Sequence, residues 1–386
     1  LLTVTLSTPD LDWFALELEA GDILGASMTG TPTFLILLAP DASTTVMGSG
    51  QEVTFIYPPS SPLPGGTGTR NFGFVTPASG TYYLLPSTQQ GAYAVQLRLF
   101  RPDFLAQPEL NHQYLFLDFD GVTGLDAAAL FGGGSSNVTL SPLSSFLGGW
   151  SLAGQEAALI DAISARVQTI FDDVATNGNN VALALGGLPG SFKVTVLNSK
   201  DHADPWGLPN VSRLIVGGTT GQLGIGTIGI AQTIDVGNFD AAETAVVLLD
   251  NLSAAASNPN SLNQYALAPG ASKIDLVAAG VGNIIAHEAA HFFGCWHTDQ
   301  FNGVACIIDQ GGNLANTVGV GPDAVWGTAD DVNVLNVVDT LNPNEGFAGR
   351  QDSRNAIAFG LSTGREPGIF REIVTNSVTY TGRRDA

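Results

Sequence analysis

Positive charge is scarce in this sequence. Only 14 lysines and arginines stand against 35 aspartates and glutamates, and Lys193, Lys200 and Lys273 are the only lysines. The resulting net charge of −21 disfavours nucleic acids and anionic membrane surfaces as partners, because both are held by basic patches. Long apolar runs are missing as well. A block such as Phe34-Leu35-Ile36-Leu37-Leu38 has the length of a buried strand and falls well short of the ~18 residues that mark a membrane span. Methionine is confined to Met28 and Met47, and cysteine to Cys295 and Cys306. Charged residues make up 13% and hydrophobic ones 44% of the 386 residues, ample for sizeable cores and long enough for two domains. The acidic, lysine-poor composition fits an extracellular protein, and the start at Leu1-Leu2 rather than Met fits a processed product.

Histidine is also rare, yet three of the five histidines fall within residues 287–297: His287, His291 and His297. Ile274, Leu276, Val277, Val281, Ile284 and Ile285 lead into this stretch at mostly helical spacing. On a helix, His287 and His291 lie one turn apart on the same face and can each offer a nitrogen to one metal ion. Gly294 can take the left-handed conformation that ends a helix, so the reversed chain could bring His297 round as a third ligand. Three nitrogens with an open fourth position suit a catalytic zinc. Glu288, about 100° round the helix from His287, is placed to act as general base on a zinc-activated water.

The pattern HExxHxxGxxH over 287–297 resembles the zinc motif of the metzincin metalloendopeptidases, with all five specified positions matched. The resemblance implies peptide-bond hydrolysis with His287, His291 and His297 on zinc, a peptide or protein substrate, and a secreted or cell-surface location. Metzincins carry a methionine in a turn under the metal; the matching stretch here is Cys306-Ile307-Ile308-Asp309-Gln310, with Ile308 in the methionine's place. Gln310 stands where some branches have a tyrosine, and Thr298 after the third histidine is similar to the pappalysin-like branch. A Cys295–Cys306 bridge would clamp the loop after the zinc helix and imply an oxidising compartment; two unpaired, half-buried thiols are the alternative.

The first hundred residues read as short strands, over 13–18, 33–38, 53–57, 71–75, 81–85 and 93–99, separated by turn residues in the rhythm of an all-β sandwich. Leu11-Asp12-Trp13-Phe14, Glu19-Ala20-Gly21-Asp22, Leu38-Ala39-Pro40-Asp41 and Pro77-Ala78-Ser79-Gly80-Thr81-Tyr82-Tyr83-Leu84 resemble the bacterial pre-peptidase C-terminal domain family. That likeness implies an accessory domain of jelly-roll type over 1–105. After a proline-marked junction at 101–108, strands and helices alternate: a strand at 114–119, a helix over 155–174, then strands at 192–197, 214–216, 225–234 and 245–249. Leading into the zinc helix, this order resembles the upper half of a metzincin. It implies an α+β, metzincin-like domain over 106–386, with 224–234 as an antiparallel edge strand bordering the cleft.

Three other features compete for attention. Leu115-Phe116-Leu117-Asp118-Phe119-Asp120-Gly121 looks like the first motif of haloacid-dehalogenase-type phosphatases, with Asp118 as nucleophile, Asp120 as acid/base and Ala329-Asp330-Asp331 as a later acidic motif. Neither Lys193 nor Lys200 has the setting that chemistry needs, so a strand end with an Asp-Gly turn is the simpler reading. Asp323, Asp330, Asp331 and Asp339 sit in an acidic, Gly-rich stretch that could suit calcium or form solvated acidic turns. A short helix is expected over 351–361 and a polar tail over 381–386. Set against the peptidase is a non-catalytic extracellular structural or adhesive protein that retains the metalloprotease fold. The sequence leaves the oligomeric state open.

Overall fold

Continuous apolar runs such as Leu115-Phe116-Leu117 and Ala245-Val246-Val247, buried on both faces, decide the architecture of the chain's central region. The computed structural model describes residues 2–5, 12–31, 33–63, 68–87, 92–101, 112–178 and 192–362. The expected junction beyond Arg101 and the expected polar tail lie outside these residues. The fold is mixed α+β.

Eight strands occupy the first hundred positions: β1 Leu2–Thr5, β2 Phe14–Leu18, β3 Ile23–Gly30, β4 Leu35–Leu38, β5 Thr45–Ser49, β6 Arg70–Val75, β7 Gly80–Pro86 and β8 Ala92–Phe100. They form two antiparallel sheets, one in the order β1-β8-β3-β6 and the other containing β5-β4-β7-β2. Leu24, Met28, Leu35, Leu37, Phe72 and Leu84 from both sheets are buried in one core. The strand expected over 53–57 is instead a 3-10 turn, Thr54–Ile56. Side chains divert the backbone there: Asn71 Oδ1 accepts from Val53 N–H and Glu52 Oε1 from Thr54 N–H, both at 2.8 Å. Such local bonds compete with a strand ladder.

The next sheet contains β9 His112–Asp118, β12 Lys193–Asn198, β13 Val211–Val216, β14 Gly229–Ala231 and β15 Thr244–Val247, in the order β12-β9-β13-β15-β14. A hairpin of β10 Val122–Leu125 and β11 Val138–Leu140 stands apart from it. The first four strands run parallel; β14 is antiparallel to β15 and forms the edge, as expected of 224–234. Leu214, Val216, Ala245 and Val247 point to the main core, while Ile215, Val246 and Leu248 face a second cluster with Leu125, Val138 and Leu140. Side chains of period two therefore bury both faces of the sheet. The main core also takes the helix Glu156–Asn177, through Leu159, Ile163, Val167 and Ile170, and the helix Lys273–Phe292.

The second helix carries the histidine motif. Ser272 caps its N-terminus by accepting from Asp275 N–H, and every residue from Leu276 to Phe292 is buried. Its end is a complete Schellman turn: Cys295 N–H donates to Ala290 O at 3.0 Å and Gly294 N–H to His291 O at 2.9 Å. Gly294 sits at φ +92°, and a Cβ there would lie 2.5 Å from Val236 Cα. Both conformation and space demand glycine.

The beginning and the end of the chain also meet. The short strand Phe347–Ala348 pairs with β5 and so adds a fifth strand to the second sheet of the N-terminal module. Trp296 Nε1 donates to Gly73 O at 3.1 Å, and Phe100 stacks edge-on against Phe239 with centroids 5.0 Å apart.

The strained turn after the helix gives a direct prediction. Gly294→Ala forces a side chain into the left-handed region and against Val236, and should cost at least ~1–3 kcal/mol of stability. Urea unfolding measures it; an unchanged midpoint would show that the turn relaxes freely.

Candidate metal centre

Helical spacing brings His287 and His291 together, with ring centroids 4.9 Å apart and planes at 87°. The Schellman turn then reverses the chain, and His297 Nε2 arrives 3.2 Å from His287 Nε2 and 3.2 Å from His291 Nε2. Each Nδ1 is held from behind at 2.8 Å: His287 by Ile307 O, His291 by Cys295 O and His297 by Glu345 Oε1. A backbone carbonyl or an ionised carboxylate can only accept, so each Nδ1 carries the proton. The three Nε2 lone pairs therefore face one another, an arrangement that calls for a cation between them. Burial, reinforced by the neighbouring rings, pushes His287 down to about 3 and His291 well below the usual histidine range. The neutral, ligand-competent forms are thus favoured.

The donor set fits zinc. Nitrogens ~2.0–2.1 Å from one tetrahedral ion stand ~3.3 Å apart, close to the two observed spacings of 3.2 Å. Among the described residues, these histidines are the one group of three or more His, Cys, Asp or Glu side chains whose ligand atoms converge, all within 4.8 Å.

Glu288 lines the same cleft as the three histidines, a cavity of about 1060 Å³ bordered by β14. Burial pushes its carboxyl up to about 8, opposed by a hydrogen bond from Ala231 N–H. The carboxylate lies so close to the edge strand that a Cβ on Gly229 would fall 2.1 Å from Glu288 Oε1. Glycine at 229 is the reason Glu288 and the edge strand can touch.

All four residues expected from the motif are brought together. Sequence reasoning missed the groups that orient them. Glu345 lies 48 residues beyond His297, where no local spacing links the two, and the carbonyls of Ile307 and Cys295 carry no residue-type signal. Gln310 proves to be an orienting group, donating from Nε2 to Glu345 Oε1 at 2.8 Å. Ile308 is fully buried in the turn beneath, whose carbonyl accepts from Thr298 N–H at 3.0 Å.

The Cys295–Cys306 bridge is not formed; both cysteines are free and buried. Both thiols turn to Ser353: Cys295 Sγ is 3.6 Å from Ser353 O and Cys306 Sγ 3.6 Å from Ser353 Oγ. Burial raises both thiol pKa values, Cys295 most strongly, which keeps them protonated and unreactive. The argument from these cysteines for an oxidising compartment therefore falls away.

The competing motifs are not assembled. Asp118 ends β9, its carboxyl pushed up to about 6 by burial, and accepts from Asp120 N–H at 3.1 Å in the Asp-Gly turn. Lys200 pairs with Asp161 and Asp201 instead. The acidic loop spends its carboxylates on its own backbone: Asp331 accepts from Gly321 N–H at 3.2 Å and Gly327 N–H at 2.6 Å, and Asp323 from Val325 N–H at 2.8 Å. Those bonds describe acidic turns.

No protein-family model matches the chain, and no curated protein matches it. Among solved structures, a periplasmic inhibitor of g-type lysozyme, PliG from Aeromonas hydrophila, is similar at 15% identity with a TM-score of 0.18, over 26% of this chain and 83% of that one. A likeness so slight identifies neither fold nor activity.

The carboxylate behind His297 sets the prediction here. Glu345→Ala removes the group that fixes the ring, and zinc affinity should fall ~10–100-fold. Competition against a chromophoric chelator reads the loss; undiminished affinity would mean that His297 needs no such partner.

Proposed function

We propose that the chain is a zinc-dependent metalloendopeptidase of metzincin type, preceded by a β-sandwich accessory module and acting outside the cell. One observation carries this reading: three convergent imidazole nitrogens share a cleft with a buried carboxyl group and a sheet edge. The parallel sheet with one antiparallel edge strand, followed by the histidine helix, supports it. His287, His291 and His297 would hold the ion. Zinc supplies Lewis acidity for the peptide carbonyl and for water, whose pKa it lowers to ~7.

The chain's own groups do the rest. Leu248 N–H donates to Ile228 O, and Gln232 N–H donates to Thr244 O, so residues 228 and 232 bond inward to β15. By strand alternation the backbone groups of Gly229 and Ala231 turn outward to the cleft; Glu288 takes Ala231 N–H and Thr227 Oγ1 donates to Gly229 O at 2.6 Å, so an extended peptide would pair with Gly229 N–H and Ala231 O. Such pairing presents the scissile bond beside Glu288. Glu288 takes a proton from the attacking water and can return it to the leaving amine.

The non-catalytic alternative draws on Ile308 in the methionine's place. Ile308 is buried without a polar duty, and an apolar side chain of similar volume can fill the same space. The decisive experiment is Glu288→Gln in zinc-loaded protein. Peptide hydrolysis should fall ~10²–10⁴-fold, with zinc content and melting temperature nearly unchanged. Absence of any cleavage by zinc-loaded wild type would favour the structural-protein reading, and an equally fast Glu288→Gln enzyme would move the chemistry elsewhere.

A further inference from the structure

The cleft beside β14 is closed at its two ends by different parts of the chain. At one end stands the short helix Ala127–Phe131: Leu130 and Phe131 line the cavity, and the following Gly133 packs against Ile225. At the other end the wall belongs to the N-terminal module. Ile234, three residues past the edge strand, donates its N–H to Ile56 O at 2.8 Å. Phe55, Ile56 and Tyr57 all line the cavity.

That second wall is rigidly attached. The Tyr57 ring meets Trp296 edge-on, with centroids 6.0 Å apart, and Trp296 immediately precedes the ligand His297. Trp296 is bound in turn to Gly73 O and packs on Phe347 at 4.9 Å. The 3-10 turn Thr54–Ile56 is thus anchored to the metal centre through side chains of both parts of the chain. On this turn Phe55 is 76% exposed, more than any other large hydrophobic residue among those described. An exposed aromatic ring on a wall of the cleft has no packing role in the core. The lining contains no lysine or arginine; its ionisable groups are the three histidines, Glu288, Asp309 and Tyr57.

We propose that the N-terminal module is part of the substrate-binding cleft, with Phe55 and Ile56 forming an apolar subsite remote from the cleaved bond. The proposal rests on the peptidase reading and names its substrate class: extended, uncharged segments with an apolar side chain at a distal position. The distance follows from the strand. Glu288 touches Gly229 and Ile56 binds Ile234, a separation of up to ~17 Å at ~3.3 Å per residue. A peptide paired along the edge would therefore meet Phe55 about four to five residues from the scissile bond. Only a substrate long enough to reach that wall gains the contact, which favours cleavage within a chain over trimming of its ends.

Cleavage-site profiling of a mixed peptide library by zinc-loaded full-length protein tests this. Wild type should enrich an aromatic or aliphatic residue about four to five positions from the cleaved bond, on one side only. Phe55→Glu should abolish that enrichment and lower kcat/KM on peptides bearing it at least ~10-fold relative to peptides too short to reach the wall. Leu208→Ala, an exposed residue outside the cleft, serves as control and should leave the profile unchanged. Circular dichroism melting of Phe55→Glu should match wild type. A wild-type profile without distal preference, or one that Phe55→Glu preserves, overturns the subsite while leaving the peptidase standing. Failure of wild type to cleave any library member removes the peptidase reading and the subsite with it.

Discussion

Three imidazole rings held with their Nε2 lone pairs facing one another are the constraint on which the rest of the site depends. Left to themselves, such rings would rotate so that one nitrogen donates to another. Here each Nδ1–H is committed to an acceptor that comes from a different place: the turn at Ile307, the helix-ending turn at Cys295, and the carboxylate of Glu345. Every local feature serves to bring those acceptors in. Gly294 reverses the chain, which delivers both Cys295 O and His297. Thr298 then bonds to the turn beneath through Ile308 O at 3.0 Å and Asp309 Oδ1 at 2.8 Å. Asp309 is itself buried, its carboxyl pushed up to about 6, and the adjacent buried Asp339 is raised as well. Two buried carboxyls side by side are most easily accommodated when they share a proton.

How much of this could be read in advance depended on whether the determinants were local. The ligands, Glu288 and the left-handed glycine all lie within eleven consecutive positions, where helical geometry and turn chemistry act without help from distant chain. The sheet strands β9, β13 and β15 are legible because each carries a continuous apolar run, Leu115-Phe116-Leu117, Leu214-Ile215-Val216 and Ala245-Val246-Val247, buried on both faces. By contrast β3, Ile-Leu-Gly-Ala-Ser-Met-Thr-Gly, mixes glycine and small residues, and its place as an inner strand of its sheet depends on partners far away in sequence. Residues 53–57 fit the rhythm of short strands between turns, but the bonds from Val53 N–H to Asn71 and from Thr54 N–H to Glu52 outweigh that pattern. Glu345 and Gly229 act through tertiary proximity alone. The cysteine bridge was inferred from two thiols flanking the site, and proximity in sequence did not reveal that Ser353 receives both.

Those protonated thiols are compatible with the metal centre in a way that ionised ones would not be. A thiolate beside three imidazoles would compete with them for any ion held between their nitrogens. Cys295 supplies its carbonyl to His291 while its sulfur points to Ser353. One residue thus orients a ligand with its backbone and is barred from becoming one by the burial of its side chain.

The two parts of the chain are joined too closely for the N-terminal module to be a detachable accessory. A strand from near the end of the described chain completes a sheet at its beginning, and Trp296 binds the module one residue before a ligand. Loosening the module would therefore be felt first at His297, through Trp296, and at the edge strand, through Ile234. Three rings hold an ion only when their orientation is kept, and a mobile neighbour sharing two attachment points with the site would erode that. The continuous core across both parts gives the rigidity. It also holds the module's surface at a fixed distance from the three histidines.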